Sequence, residues 1–191
     1  SPPETGAPAQ KAAVAPIELE RLDRFTNANY GGVRVTPLAL DLDVNFEDRV
    51  LDGSATLDLE RLDPLARRLV LDTHTLLIRD VETQTETGWE PASFMLGAAD
   101  PTLGAALEIS LPEGAERVRI SYRTSPQAGG LQWLTPEQTA GKEHPYMYSQ
   151  AQALHARSFA PVQDTPAVRM TYEAVLRTPP ALLALMSAEQ D

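Results

Sequence analysis

The stretch Leu38-Ala39-Leu40-Asp41-Leu42-Asp43-Val44-Asn45-Phe46 alternates large apolar residues with small or polar ones at every step. Period two places Leu38, Leu40, Leu42, Val44 and Phe46 on one face of a long strand and Ala39, Asp41, Asp43 and Asn45 on the other. One face is therefore a core face. Glu47-Asp48 opens a connection, after which Ala55, Leu57 and Leu59 alternate with Thr56, Asp58 and Glu60, so the two segments are expected to pair antiparallel.

The same signal extends outward along the chain. Leu69-Val70-Leu71 and Leu76-Leu77-Ile78, split by Asp72-Thr73-His74-Thr75, predict two shorter strands with a turn between them. Trp89 to Leu96, Leu107 to Leu111 and Val118 to Tyr122 continue the pattern, with Val118, Ile120 and Tyr122 facing one way and Arg119, Ser121 and Arg123 the other. A last strand is expected from Val168 to Arg177, followed by a strand-like apolar run from Leu182 to Ala188. Gly, Pro, Asn or Asp punctuates the gaps. Short strands spaced by roughly ten residues, with little helical period between them, predict an all-β, multi-sheet, sandwich-like domain. The acidic strand faces Asp41/Asp43 and Asp58/Glu60 are read as solvated, with packing on a partner domain as the alternative.

Upstream of this pattern the composition differs. Residues 1–16 hold four prolines and almost no large apolar side chain, so they cannot offset the entropy of ordering and are read as a disordered leader. Such a start often follows a removed export signal, which favours the periplasm or cell envelope, with the cytoplasm as the alternative. Residues 17–32 are read as a short helix or a linker, because Ile17, Leu19, Leu22 and Phe25 fit no single period. Residues 33–191 form the β domain. The chain begins at Ser1 without a methionine and ends just after an apolar run, and both features lead us to expect a piece of a longer polypeptide.

Composition excludes several classes of function. The formal net charge of −11, from 16 basic against 27 acidic residues, argues against a phosphate-binding surface for nucleic acid, which needs clustered Lys and Arg. The absence of cysteine rules out a disulfide, a thiolate nucleophile and Cys-ligated zinc. No apolar run approaches the ~18 residues of a membrane-spanning helix. The three histidines, His74, His144 and His155, have no partner at i+4, so the His-Glu-x-x-His pattern that lets two imidazoles share a metal is missing. A Gly-x-Ser-x-Gly nucleophile turn and a Gly-rich phosphate loop are missing too, and no carboxylate pair stands in an acid–base motif.

The remaining candidate is the stretch from His144 to Pro166, where amides lie among aromatic and apolar residues. An amide buried without a partner costs roughly 1–3 kcal/mol, so such groups need an explanation. Ser149-Gln150-Ala151-Gln152-Ala153-Leu154-His155-Ala156-Arg157, Gln163-Asp164-Thr165-Pro166 and Leu185-Met186-Ser187-Ala188 resemble the amino-terminal domain of zinc aminopeptidases of the leukotriene-A(4) hydrolase and aminopeptidase N type. The likeness extends from Val33 to the last residue and includes Gly130-Leu131-Gln132-Trp133-Leu134 and Thr139-Ala140-Gly141-Lys142. The chain departs from the family pattern in carrying Ala151 and Val162 where members often have cysteine, and in lacking the zinc site.

The resemblance implies a saddle-shaped β domain and a parent enzyme in which zinc activates water for attack on the first peptide bond, with related epoxide hydrolase activity as a further option. It also implies that Gln152 reaches the amino end of a peptide substrate, with Gln150 and Ala153 lining the same pocket. A Gln oxygen suits an ammonium donor because it accepts hydrogen bonds without burying a second charge. If the run is extended, Gln150 and Gln152 point to one side. The competing reading is that both amides satisfy backbone at a sheet edge. Trp133, Tyr146, Tyr148 and Phe159 are read as core or interdomain packing rather than a platform for bases or sugars. Arg157 is expected to pair with a carboxylate, and Asp164 to bond backbone donors in a turn.

Two functions therefore stand. In the first, the chain is the non-catalytic domain of a zinc aminopeptidase; it carries no cofactor itself, and its partners are the catalytic domain and, through it, peptide substrate. In the second, it is a free-standing β-sandwich binding or adaptor module. A domain separated from its neighbour exposes an apolar interface, so the isolated chain is expected to self-associate.

Overall fold

The computed structural model describes residues 23–190. Eleven strands follow in chain order: β1 (Val33–Asn45), β2 (Val50–Arg61), β3 (Arg68–Thr73), β4 (Leu77–Thr85), β5 (Gly88–Pro91), β6 (Phe94–Leu96), β7 (Ala105–Ser110), β8 (Arg117–Arg123), β9 (Leu131–Leu134), β10 (Tyr146–Ser149) and β11 (Tyr172–Arg177). Short 3₁₀ turns at Pro136–Gln138 and Ala156–Ser158 are the only helical segments among the described residues. The architecture is thus the all-β, multi-sheet one expected.

A six-stranded sheet has the order β11-β1-β2-β8-β4-β5, a three-stranded sheet the order β3-β7-β6, and β9 and β10 form a hairpin. In the large sheet β1 and β2 pair antiparallel, as their common alternation requires, whereas β11 runs parallel to β1. The registers align apolar rows across strands: Leu40, Ala55, Ile120 and Val81 form one, and Leu38, Leu57 and Val118 another. These rows are buried against Leu69, Leu71, Leu107 and Ile109 from the three-stranded sheet. Each large side chain so buried stabilises the fold by roughly 1.5–3 kcal/mol, so the sandwich interior is the main source of stability.

Three strand boundaries differ from the sequence reading. Trp89 to Leu96 is two strands, since the chain leaves the large sheet after Pro91 and joins the small one at Phe94. Ala92 N–H donates to Val81 O at 2.8 Å while Ser93 O accepts from Ser110 N–H at 2.9 Å, so the crossing occurs between these two residues. The last strand starts at Tyr172 rather than Val168, because Val168 N–H closes a turn onto Thr165 O at 3.2 Å. Residues 182–188 are not a strand: Leu182 N–H turns back to Pro179 O at 2.9 Å, and Leu183 and Leu185 are 82% and 72% exposed. The leader expected over 1–16 lies outside the described residues, as do 17–22 of the short helix or linker; residues 23–32 hold turns and no helix.

Candidate functional site

The β9–β10 hairpin and the turns that follow it carry the expected site residues. Strand pairing ends at Ser149, opposite Leu131, and the backbone then leaves the sheet. Gln150 N–H donates to Gly130 O at 2.8 Å, and His155 N–H closes a turn onto Ala151 O at 2.8 Å. The peptide bond between Gln152 and Ala153 is cis. The hydrogen bond from His155 to Ala151 makes the run a turn rather than an extended segment, so strand alternation does not set the directions of Gln150 and Gln152.

Gln150, Gln152 and Ala153 are all exposed, and neither Gln side chain forms a hydrogen bond among the described residues. The reading of these two amides as sheet-edge backbone partners finds no hydrogen bond to support it. The amide that does act in this way is Gln163, which is 1% exposed. Its Nε2 donates to Val33 O at 2.7 Å and its Oε1 accepts from Val35 N–H at 3.1 Å. This lies just before the irregularity between Val35 and Leu38, beyond which β11 takes over the pairing of β1. Gln163 thus extends the sheet edge by one residue's worth of hydrogen bonds.

Beneath the exposed loop lies a buried ionic knot. Arg157 is fully buried, its Nε donating to Asp164 Oδ2 at 3.0 Å, with Asp72 Oδ1 3.8 Å from Nη1. Nη1 also donates to Leu103 O at 2.9 Å, and Nη2 to Phe25 O at 2.8 Å and Asp164 O at 3.1 Å. Asp72, also fully buried, accepts from Asn27 N–H at 2.7 Å and Asp164 N–H at 3.0 Å, and from the Thr26 hydroxyl. A buried guanidinium is tolerated when its fork of donors is matched in this way. Asp72 was expected in a turn, but it lies in β3, bridged to Val162 by backbone hydrogen bonds of 2.7 and 3.3 Å.

The next residue, Ser158, ties the loop to the hairpin. Its Oγ donates to His155 O at 2.7 Å and accepts from Gly130 N–H at 2.8 Å. Gly130 therefore holds both ends of the loop, Gln150 through its carbonyl and Ser158 through its amide. A Cβ there would lie 2.6 Å from His155 O and 2.7 Å from Ser158 Oγ, so close approach is what demands glycine. Phe159 O accepts from the Tyr122 hydroxyl at 2.8 Å, and burial pushes that phenol's pKa well above its ordinary value.

The aromatic residues divide. Trp133 packs edge-on against Phe46, with ring centroids 5.3 Å apart, and Phe159 packs on the core. Tyr146 and Tyr148 are exposed. An open cleft of about 560 Å³, lined by residues including Leu134, Glu143, His144, Tyr146 and Leu182, lies at the far end of the hairpin, and none of Gln150, Gln152 and Ala153 lines it. The exposed amides therefore stand on an open surface, away from this cleft. Among the described residues no group of three or more His, Cys, Asp or Glu is placed to hold a metal ion.

Arg157 pairs with carboxylates as expected, whereas the part of Asp72 in that pairing, the bonds of Gln163 to β1 and the hold of Gly130 on the loop were not anticipated. One signal was present: Arg157 is the only Lys, Arg, Asp or Glu between Glu143 and Asp164, and a lone charge in an apolar stretch points to a buried, paired ion.

Eleven strands in three sheets, with a polar loop exposed after the β9–β10 hairpin, define a class, an all-β multi-sheet domain. The chain belongs to the Peptidase M1 N-terminal domain family, whose model matches residues 27–190. A leukotriene A-4 hydrolase from Xenopus laevis is 43% identical over 157 residues, which cover 80% of this chain and 25% of that protein. A leucine aminopeptidase 2 from Yarrowia lipolytica is 41% identical over 154 residues, or 79% of this chain and 23% of that one. The solved leukotriene A4 hydrolase from Saccharomyces cerevisiae superposes with a TM-score of 0.77 at 33% identity, over 86% of this chain and 26% of that one. The M1 zinc metallopeptidase from Deinococcus radiodurans, at 22% identity and a TM-score of 0.58, shares the fold. The chain thus spans about a quarter of the length of the curated relatives it matches.

Proposed function

We propose that this domain forms one wall of the substrate cleft of a zinc aminopeptidase, with Gln152 accepting hydrogen bonds from the amino end of a peptide and Gln150 and Ala153 beside it. The observation that carries this reading is the pair of exposed Gln side chains, free of hydrogen bonds among the described residues, on a loop whose base is fully bonded. Free acceptors on a fixed support are what ligand recognition requires, because little ordering entropy is then lost on binding. Membership of the M1 amino-terminal family and similarity to an aminopeptidase and a leukotriene A-4 hydrolase support the same reading.

In this proposal the catalytic groups belong to a second domain of the same polypeptide. Zinc held there would supply an activated water for hydrolysis of the first peptide bond. The residues of this chain bind and orient the free amino end, which sets a preference for terminal over internal bonds. A second activity, hydrolysis of leukotriene A-4, is supported by the likeness to the Xenopus protein that carries that name, and epoxide hydrolysis is the form of it that the family resemblance implies. The test is Gln152→Ala in the polypeptide that joins this domain to its catalytic partner. Loss of one hydrogen bond to a charged group is expected to lower kcat/KM for unblocked peptides by roughly tenfold or more. Unchanged turnover would return Gln152 to a surface amide and leave a binding module.

A further inference from the structure

We infer that Arg157 is a positioning residue for the Gln150–Ala153 loop, a buried cation that fixes where those amides stand without meeting the substrate itself. The inference rests on the proposed substrate role of the loop.

Arg157 cannot be a ligand site, since it is fully buried and its donors point at Asp164, Asp72, Leu103 O and Phe25 O. Its own carbonyl accepts from His74 N–H at 2.8 Å, so the residue is pinned from the backbone as well. It thereby joins the segment before β1, the end of β3, the turn before β7 and the turn after Val162 to one point in the chain. Ser158, the next residue, holds His155 O and Gly130 N–H.

The loop itself has little of its own to hold it. Gln150, Ala151, Gln152, Ala153 and His155 are all exposed, and the backbone bonds that anchor the loop run from Gln150 to Gly130 and from His155 to Ala151. Its placement is therefore inherited from its two ends, one on Gly130 and the other on the Arg157–Ser158 turn. Stability alone does not explain an arginine here, because a buried ion pair is often no more stabilising than apolar residues of the same volume. What the guanidinium adds is geometry, since a planar fork bonded on several sides permits one orientation. Lysine keeps the charge but lacks the fork, so it separates charge from geometry.

The test is amide hydrogen exchange on the 191-residue chain carrying Arg157→Lys. The Gln150 and His155 amides are expected to exchange roughly tenfold faster while the β1–β2 ladder stays within about twofold of the unsubstituted chain. Equal acceleration of loop and ladder, or no change in the loop, would overturn the inference. Should Arg157→Lys fail to fold, Asp164→Asn keeps the shape, weakens the same pair and is expected to give the same loop-selective result. In the polypeptide joined to its catalytic partner, Arg157→Lys is expected to raise KM for unblocked peptides with kcat nearly unchanged, and to add nothing once Gln152→Ala is present. An independent, additive rise would count against positioning. If Gln152→Ala alone leaves KM unchanged, the substrate-contact reading fails, and hydrogen exchange still decides whether Arg157 holds the loop.

Discussion

Arginine meets carboxylate in two settings in this domain, and the settings differ in little but water. On the outer face of the large sheet, Arg117 bonds Asp58 at 2.6 Å and Arg119 bonds Glu82 at 2.8 Å, with side chains 33–42% exposed. Beneath the loop, Arg157 meets Asp164 and Asp72 with side-chain exposures of 0%, 12% and 0%. The outer pairs join residues of adjacent strands that hydrogen-bonded ladders already hold together, Asp58 opposite Arg117 and Glu82 opposite Arg119. The buried cluster joins Asp72 of β3 to the Arg157 turn, 85 residues on, where backbone pairing amounts to a single bridge between Asp72 and Val162. Solvation makes the first kind nearly dispensable, and its absence makes the second kind costly to break.

The strongest way to break this comparison is Arg157→Met. Methionine fills much of the space but leaves Asp72 and Asp164 without a buried cation, and a loss of about 3–5 kcal/mol in urea unfolding is expected. A loss below about 1 kcal/mol would place the knot with the surface pairs. Gln163→Leu comes next, because it strands Val35 N–H and Val33 C=O in a buried sheet edge. Roughly 1–3 kcal/mol is expected, from equilibrium unfolding at unchanged m-value. A neutral result would show that water reaches that edge.

These two positions also show where the sequence was legible. Strands announced themselves through Leu38 to Phe46 and Val118 to Tyr122, since one face of each is buried and side chains alternate. The loop at Gln150 and Gln152 stood out through composition, and its likeness to a family suggested the role proposed for it. Of the groups beneath it, Arg157 alone stood out, as a lone charge expected to pair with a carboxylate. Asp72 lies 85 residues before Arg157, and Gln163 bonds Val35 and Val33 from 128 and 130 residues away, partners that no local period encodes. The crossing at Ala92 and the turn at Leu182 were lost for a related reason: apolar runs show burial preference, whereas hydrogen bonds to Val81, Ser110 and Pro179 decide where strands stop.

The outer face sharpens the comparison from the weak side. Arg117→Ala removes a pair whose side chains are each 42% exposed, and less than about 1 kcal/mol is expected, shrinking further near 1 M salt. A cost comparable to that of Arg157→Met would mean that the outer pairs act as a network and that exposure is a poor guide here.

The smallest effect expected is a titration. Arg177 donates a hydrogen bond to Asp41, across the parallel β1–β11 pair, and this bond holds the Asp41 carboxyl below its ordinary value of 3.8. The carboxylate is thus favoured in the folded state, so its contribution is present above the unfolded value of 3.8 and is lost as pH falls through the lower folded pKa. In Arg177→Gln the Asp41 carboxyl should titrate closer to 3.8, followed by its side-chain carbon resonance, and the stability difference between the two chains should fade as pH drops below that value. Added salt should move the unsubstituted chain toward the variant, because both groups are more than half exposed and their attraction is screened. A titration unaffected by Arg177→Gln would show that this pair is absent in solution, leaving β11 held to β1 by its backbone ladder and by the packing of Tyr172, Ala174 and Leu176 on the core.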